Sequence, residues 1–194
     1  LAFDTMGEGL TFLTPVLEHE TEITGPSALK LVASSSTKDA DFFIVLRIFT
    51  GDLKEIVFQG AIDPHTPIAQ GWLRASHRKL DKKMSLPYRP YHTHEEEQKL
   101  TPGEDYEVED EVWPTCIVVP KGYRLALSVR GTDYVYPGEW GPRAGVVGKV
   151  WNGCGIFIHD DPRDRPPAVF GGDVTLHAGP QRQAHVLLPV IPKK

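Results

Sequence analysis

Few residues of this 194-residue chain stand in a pattern that catalysis would need. The nearest approach to a nucleophile elbow, the G-x-S-x-G turn that exposes a catalytic serine, is the segment Gly25-Pro26-Ser27-Ala28-Leu29. It lacks the second glycine, has proline where the elbow must bend sharply, and is not followed by a helical pattern, so Ser27 is interpreted as a turn residue. His177 and His185 fall on predicted strands, where a structural histidine is the default reading. We therefore predict no catalytic residue set in this chain.

One histidine pair could bind a metal ion. His92 and His94 are two residues apart on an extended segment beside the acidic run Glu95–Glu97, and two imidazoles at that spacing can share one ion. The segment offers no defined third ligand and has the composition of a solvated loop. We therefore predict no metal and no cofactor, and a metal-dependent enzyme that uses His92 and His94 is the weaker alternative.

Two groups of aspartates could supply oxygen ligands to calcium: Asp39 with Asp41, and Asp160, Asp161 and Asp164. Neither has the spacing of a twelve-residue calcium loop. Aspartate at turn positions binds its own backbone, and the second group alternates with arginines that can pair with it. Both groups are predicted to be structural.

Four aromatic residues lie in a Gly-rich stretch without periodicity, and they are the predicted binding residues: Tyr134, Tyr136, Trp140 and Trp151. Tyr and Trp are enriched at protein interfaces, which favours a surface that docks on another domain. A platform that binds carbohydrate is the alternative. Trp72 and Trp113 lie within strand patterns and are predicted to be in the core.

The composition limits the classes of partner. Hydrophobic residues make up 40% and charged residues 24% of the chain, which is typical of a soluble globular protein. A net charge of -5 gives no basic surface for nucleic acid, and no apolar run is long enough for a membrane span.

Cys116 and Cys154 lie in apolar sequence and are predicted to be buried free thiols, which fits a cytoplasmic location. No signal-peptide pattern is seen, and the start at Leu1 indicates a fragment or processed chain.

The periodicity predicts short strands separated by turns, since 18 Gly and 17 Pro punctuate the chain. Leu100–Gly131 contains two alternating runs around a Pro120–Gly122 turn, which predicts two strands whose partners come from the surrounding chain. Phe42–Thr50 is nearly all apolar, which predicts a central strand buried on both faces, with a return strand in Glu55–Ala61. A turn is predicted at Gly25-Pro26 and a long loop over Arg78–Thr101. Further strands are predicted near residues 12–17 and at Ala28–Ser35, Gly71–His77, Ile156–His159, Asp173–Ala178 and Ala184–Ile191. Together they predict one all-β domain over residues 1–194, a β-sandwich or jelly roll.

Four segments carry a resemblance to a known family: GPSALKLVASSSTKDADFFIVLRI, LTPGEDYEVEDEVWPTCIVVPKGYRLALSV, HDDPRDRPPAVFGGDVTLHAG and HVLLPVIP. They resemble the C-terminal domain of the X-Pro dipeptidyl-peptidase and cocaine-esterase group of acyl hydrolases, over about Thr11 to Pro192. The resemblance implies a jelly roll similar to galactose-binding modules. The stretch from Asp133 to Gly155 matches no pattern of that family.

The resemblance also implies the partner and the role. Parent enzymes of the group have an α/β-hydrolase domain whose Ser-Asp-His triad lies upstream of the region matched here, so no triad residue can be assigned in this chain. The resemblance implies that the domain packs on that catalytic domain, in the same polypeptide, and helps to shape the surroundings of the active site. Association with further copies of the chain is left open.

Overall fold

A run of β-branched and aromatic residues forms the centre of the first sheet. The computed structural model describes Met6 and residues 8–137 and 152–192. Strand β3 (Asp41–Phe49) has eight of its nine residues buried, as expected for a strand covered on both faces. It pairs with β7 (Arg124–Arg130) on one side and with β5 (Ala69–Arg74) and β4 (Glu55–Ile56) on the other, and β1 (Leu10–Leu13) pairs with β7 at the edge, all antiparallel. The predicted central strand is confirmed, and its return strand is confirmed over two residues only.

The second sheet is built around one long strand. Strand β2 (Thr21–Ser35) pairs along one side with β6 (Tyr106–Val119). Along its other side it pairs in turn with three short strands, β10 (Val190–Ile191), β9 (His185–Leu187) and β8 (Val174–His177). The predicted turn at Gly25-Pro26 is wrong, because these residues lie inside β2. The register with β6 shifts between Gly25 and Ser27, and such an irregularity accommodates a proline that cannot donate to the ladder.

The two sheets pack face to face on an aliphatic and aromatic core. The second sheet contributes Leu29, Leu31, Val108 and Val112, and the first contributes Phe42, Ile44, Leu46 and Leu73. At one edge β5 lies directly against β6, since a Cβ atom added to Gly71 would come within 2.4 Å of the carbonyl oxygen of Glu111. The all-β sandwich predicted from the sequence is confirmed. Jelly-roll topology, similarity to galactose-binding modules and a single domain over the whole chain stay predictions.

The two strands predicted in Leu100–Gly131 are confirmed as β6 and β7. They belong to different sheets, so the turn between them carries the chain from one sheet to the other. Other local predictions differ from the structure. The predicted strand at Ile156–His159 is irregular chain. Trp113 was predicted to be core, but it is 47% exposed. The helical segments in the described part of the chain are a 3-10 turn at Ala75–His77 and the single turn α1 (Pro167–Phe170), and no helix there is long and apolar enough to span a membrane.

Candidate binding surfaces

Tyr134, the first of the predicted binding residues, is 1% exposed. Its hydroxyl donates to Oε1 of Glu55 at 2.6 Å, and Nε of Arg47 donates to the same oxygen at 2.7 Å. Burial, and then the negative charge of Glu55, raises the pKa of Tyr134 well above its usual range. The side chain is therefore part of an internal network, and within this chain it does not belong to an exposed aromatic platform.

Tyr136 is half-buried, and its ring stacks on that of His65 with centroids 4.8 Å apart. Its backbone N–H donates to the carbonyl of Asn152 at 2.8 Å. Trp140 and Trp151 lie outside the described residues. The binding role of these four aromatic residues stays a prediction.

The buried carboxylate of Asp63 anchors the chain beyond that stretch. Its Oδ2 accepts backbone N–H groups of Gly153 at 2.7 Å and Gly155 at 2.9 Å, and its Oδ1 accepts that of His65 at 2.8 Å. Three backbone donors satisfy an ionised carboxylate well, which explains how it can be 1% exposed. In the sequence Asp63 belongs to a loop, and no local pattern marks it as the anchor of residues 153–155.

A concave site lies on the outer face of the first sheet. We call it the aromatic pocket, and its volume is about 270 Å³. Pairing of β3 with β5 places Phe43 opposite Trp72 and Asp41 opposite Arg74, so these four side chains share that face. His77, His159 and Asp164 complete the polar part of its lining.

The imidazole of His159 is held in place in this pocket. Its Nδ1 lies 2.9 Å from Oδ1 of Asp133, whose Oδ2 accepts the backbone N–H of His159 at 2.6 Å. The ring packs against Phe43 and Trp72, with centroids 5.5 and 5.8 Å apart. Because Asp133 takes up Nδ1, Nε2 is the nitrogen that a ligand could reach.

Two arginines and two aspartates form the polar end of the pocket. Asp41 accepts Nε and Nη2 of Arg74 at 2.9 and 3.1 Å and Nε of Arg165 at 2.8 Å. Arg74 also donates to both oxygens of Asp164, at 3.0 and 2.9 Å. These pairs raise the pKa of Arg74, chiefly through Asp41, and lower that of Asp164 through Arg74. They agree with the prediction that the aspartates near residue 160 pair with arginines, as does the Arg163–Asp161 pair at 2.6 Å.

A second concavity, the apolar cleft, opens between the two sheets where β1 faces β8 and β9. It has a volume of about 360 Å³ and a mainly aliphatic lining, which Phe12, Thr14, His177 and His185 complete. The floor reaches core residues such as Leu29, Leu31 and Leu46. Phe12, in its lining, is 53% exposed, and Val190 on the neighbouring strand β10 is 52% exposed.

The histidine pair proposed for a metal lies in a three-histidine cluster. The ring of His94 is 5.4 Å from that of His77 and 6.0 Å from that of His92, measured between centroids. Nε2 of His92 is 2.9 Å from the carbonyl oxygen of Glu109, which makes this side chain a link between the loop and β6. In the described ranges no three His, Cys, Asp or Glu side chains are placed to hold a metal ion.

The two cysteines differ from each other. Cys116 is exposed, contrary to the prediction, because it lies beyond Trp113 on the part of β6 where side chains reach the surface. Cys154 is half-buried, and burial, followed by the negative charge of Asp133, raises the pKa of its thiol to about 12. A thiol with that pKa is a poor nucleophile near neutral pH.

Two packed antiparallel sheets define an all-β sandwich domain, and its described residues form two concavities, the aromatic pocket and the apolar cleft. Residues 3–144 match the family described as the X-Pro dipeptidyl-peptidase C-terminal non-catalytic domain. The chain belongs to this family, as the resemblance in its sequence predicted.

The relatives are longer proteins. Two mycobacterial proteins provisionally named serine esterases, from Mycobacterium bovis and Mycobacterium tuberculosis, are 30% identical over 132 residues, which is 64% of this chain and 19% of each relative. The crystal structure of a CocE/NonD family hydrolase from Staphylococcus aureus matches 95% of this chain and 30% of that chain, with a TM-score of 0.77 and 25% identity. The chain thus spans about a fifth of the length of the curated relatives it matches.

Proposed function

We propose that this chain is the accessory domain of a larger hydrolase, and that it packs on an α/β-hydrolase domain of the same polypeptide and shapes the surroundings of its active site. The family description and the greater length of the relatives support this role. Whether the parent acts on peptides or on esters depends on the catalytic domain.

The apolar cleft and its flanks are the observation that carries the proposal. A cleft whose floor is made of core leucines costs stability while it faces water, because apolar surface is stabilised by removal from water. The exposed side chains of Phe12, in the lining, and of Val190, on the neighbouring strand β10, add apolar surface of the kind that marks protein interfaces. The catalytic domain is the occupant we assign to it.

A charged residue introduced next to the apolar cleft tests whether the catalytic domain docks there. The catalytic domain and this chain are produced as separate polypeptides, and their association is measured by titration calorimetry. Val190→Lys should weaken the association at least about tenfold, since a lysine in the core of an interface loses its hydration. Val118→Lys is the matched control, because Val118 is equally exposed, at 51%, on β6 at the opposite edge. Equal affinities for both variants would contradict the docking surface.

The influence on the active site needs its own measurement. In the parent protein, Val190→Lys should change kcat/KM for a short substrate while Val118→Lys leaves it unaltered. If the two full-length variants show the same kinetics although the separate domains associate differently, the domain docks without shaping the site. Sedimentation of the isolated chain shows whether the apolar cleft binds a second copy of the chain instead of the catalytic domain.

The carbohydrate platform at residues 133–151 is the alternative function. Tyr134 is buried and Tyr136 half-buried, so Trp140 and Trp151 would have to carry it. Binding on a glycan array that disappears in Trp140→Ala would favour it.

A further inference from the structure

We propose that the aromatic pocket binds one neutral saccharide ring. This site does not use Tyr134, Tyr136, Trp140 or Trp151, and it shares no lining residue with the apolar cleft. Occupation of the cleft by another domain therefore does not by itself fill it.

The walls of the pocket have the chemistry that a pyranose needs. Trp72 supplies an aromatic surface at the wall, backed by the rings of Trp113 and Phe157 at 5.1 and 5.6 Å. A sugar ring has an apolar face of C–H groups that can lie on such a surface, while its hydroxyls stay at the rim. The volume of about 270 Å³ lies just below the range of about 300–1,000 Å³ typical of sites for drug-sized ligands, so it suits a single ring.

The polar side chains at the rim offer hydrogen bonds to hydroxyl groups. The side chain of Asp164 is 63% exposed, and its oxygens keep lone pairs free after accepting Arg74. His159 is 41% exposed and is oriented by Asp133, which leaves its Nε2 for a ligand. Nδ1 of His77, also in the lining, is buried without a hydrogen-bond partner among the described residues, and a ligand hydroxyl would supply one.

The charge of the pocket favours a neutral ligand. Asp41 and Asp164 are balanced by Arg74 and Arg165 through the bonds already described. A charged ligand would have to break one of these pairs, whereas a polyol can add hydrogen bonds to them. The same pairs hold the side chains in one arrangement, so little conformational entropy is lost on binding.

The test uses the 194-residue chain and three neutral probes: methyl β-D-galactopyranoside, methyl α-D-glucopyranoside and methyl α-D-mannopyranoside. Saturation-transfer NMR and tryptophan fluorescence should show that at least one of them binds, with a Kd of about 1–10 mM. Trp72→Ala should raise the Kd of that probe at least about tenfold, which corresponds to a loss of about 1.4 kcal/mol of binding free energy. His159→Gln, which keeps the ring contacts of Trp72 with Trp113, should weaken it severalfold and serves if Trp72→Ala fails to fold by circular dichroism.

Val190→Lys is the matched control, and it should leave the affinity for the sugar unaltered. Conversely, Trp72→Ala should leave association with the catalytic domain unaltered, so failure of one proposal is distinguishable from failure of the other. The saccharide site is overturned if none of the three probes gives a saturable signal, or if binding persists in both Trp72→Ala and His159→Gln. Stronger binding of glucuronate than of the neutral glucoside also overturns it.

Discussion

Asp110 places a carboxyl group inside the sandwich. Asp110 lies two residues from Val108 and two from Val112 along β6, so all three side chains share the face that packs on the core. Asp110 is 4% exposed. Its Oδ2 has no hydrogen-bond partner in the described chain. Burial, and then the neighbouring charge of Glu111, raises the pKa of Asp110 well above its ordinary value.

The raised pKa determines how stability changes with pH at this residue. Because the folded state holds the proton more tightly than the unfolded chain, the contribution of Asp110 to stability is complete below its unfolded pKa of about 3.9 and is lost as the pH rises from there through the higher pKa of the folded state. Asp110→Asn keeps the neutral shape and avoids the buried charge. We expect the variant to be more stable than the parent by about 1–3 kcal/mol at neutral pH, and nearly equal to it at about pH 3.5.

Urea unfolding at the two pH values measures this difference. Asp160→Asn, at an exposed position, is the control and should leave stability unaltered at both. A variant that is less stable than the parent at neutral pH would show that Asp110 is ionised and paired in the fold.

Tyr134 contributes to stability through one hydrogen bond in a buried ionic network. Tyr134→Phe removes the donor 2.6 Å from Oε1 of Glu55 and leaves the ring in place. A hydrogen bond to a buried carboxylate contributes about 1.5–3 kcal/mol, so we expect a loss of that size in the free energy of unfolding. Tyr88→Phe, at a tyrosine that is 46% exposed, should cost almost nothing. Equal unfolding midpoints in urea for the two variants would mean that Glu55 is satisfied by Arg47 alone.

At the scale of the elements, the contact of β5 with β6 depends on a missing side chain. A Cβ atom on Gly71 would lie 2.4 Å from the carbonyl oxygen of Glu111 and 3.3 Å from Cα of Val112. Backbone atoms cannot move aside as a flexible side chain can, so Gly71→Ala should separate the two sheets at this edge. We expect it to cost about 1–3 kcal/mol, the range for overpacking, and to lower Tm by several degrees.

Gly131→Ala is the matched control for this contact, because an added Cβ there meets nothing within 4 Å. Calorimetric scans of both variants compare them directly. A Gly71→Ala protein as stable as the Gly131→Ala protein would show that the edge can open without loss of packing.

The sequence was informative about burial and less so about pairing. The alternation within Arg124–Arg130 and the apolar run of Phe42–Thr50 predicted two strands correctly. Burial of the apolar run on both faces is confirmed, whereas alternation predicted one buried face for β7 and the structure buries both, since Ala126 and Ser128 are also covered. Periodicity reports which face of a strand is covered but not which strand lies beside it, so it could not assign β6 to β2 and β7 to β3. Gly25-Pro26 predicts a turn, but the two residues lie at a register shift inside β2. Glycine and proline are common both in turns and at irregularities within a long strand, so the sequence does not distinguish the two.

The candidate sites were harder to predict because they depend on contacts between distant segments. The aromatic pocket joins Trp72 on β5 to His159 in irregular chain, which are close only because Asp133 and Arg165 tie that segment to the first sheet. Trp113 was assigned to the core because it lies in a strand pattern. It is exposed, together with the following Pro114, where the alternation of β6 breaks.

At the scale of the whole molecule, the chain alone should not hydrolyse acyl bonds. The pair of Asp133 and His159 has the orientation that a hydrolase base needs, but the base also needs a nucleophile. The thiol of Cys154, whose electrostatic environment includes Asp133, has a pKa raised to about 12 and is therefore almost wholly protonated near neutral pH.

We therefore expect no release of nitroaniline from Ala-Pro-p-nitroanilide and no release of nitrophenol from p-nitrophenyl butyrate above the rate in buffer. A serine hydrolase that cleaves the substrate, assayed in parallel for each one, shows that the assay detects turnover. His159→Ala distinguishes the chain's own chemistry from a contaminating hydrolase, since only the former can respond to this change. Turnover that resists a fluorophosphonate inhibitor of serine hydrolases and is lost in His159→Ala would assign a reaction to the aromatic pocket and would end its description as a non-catalytic domain.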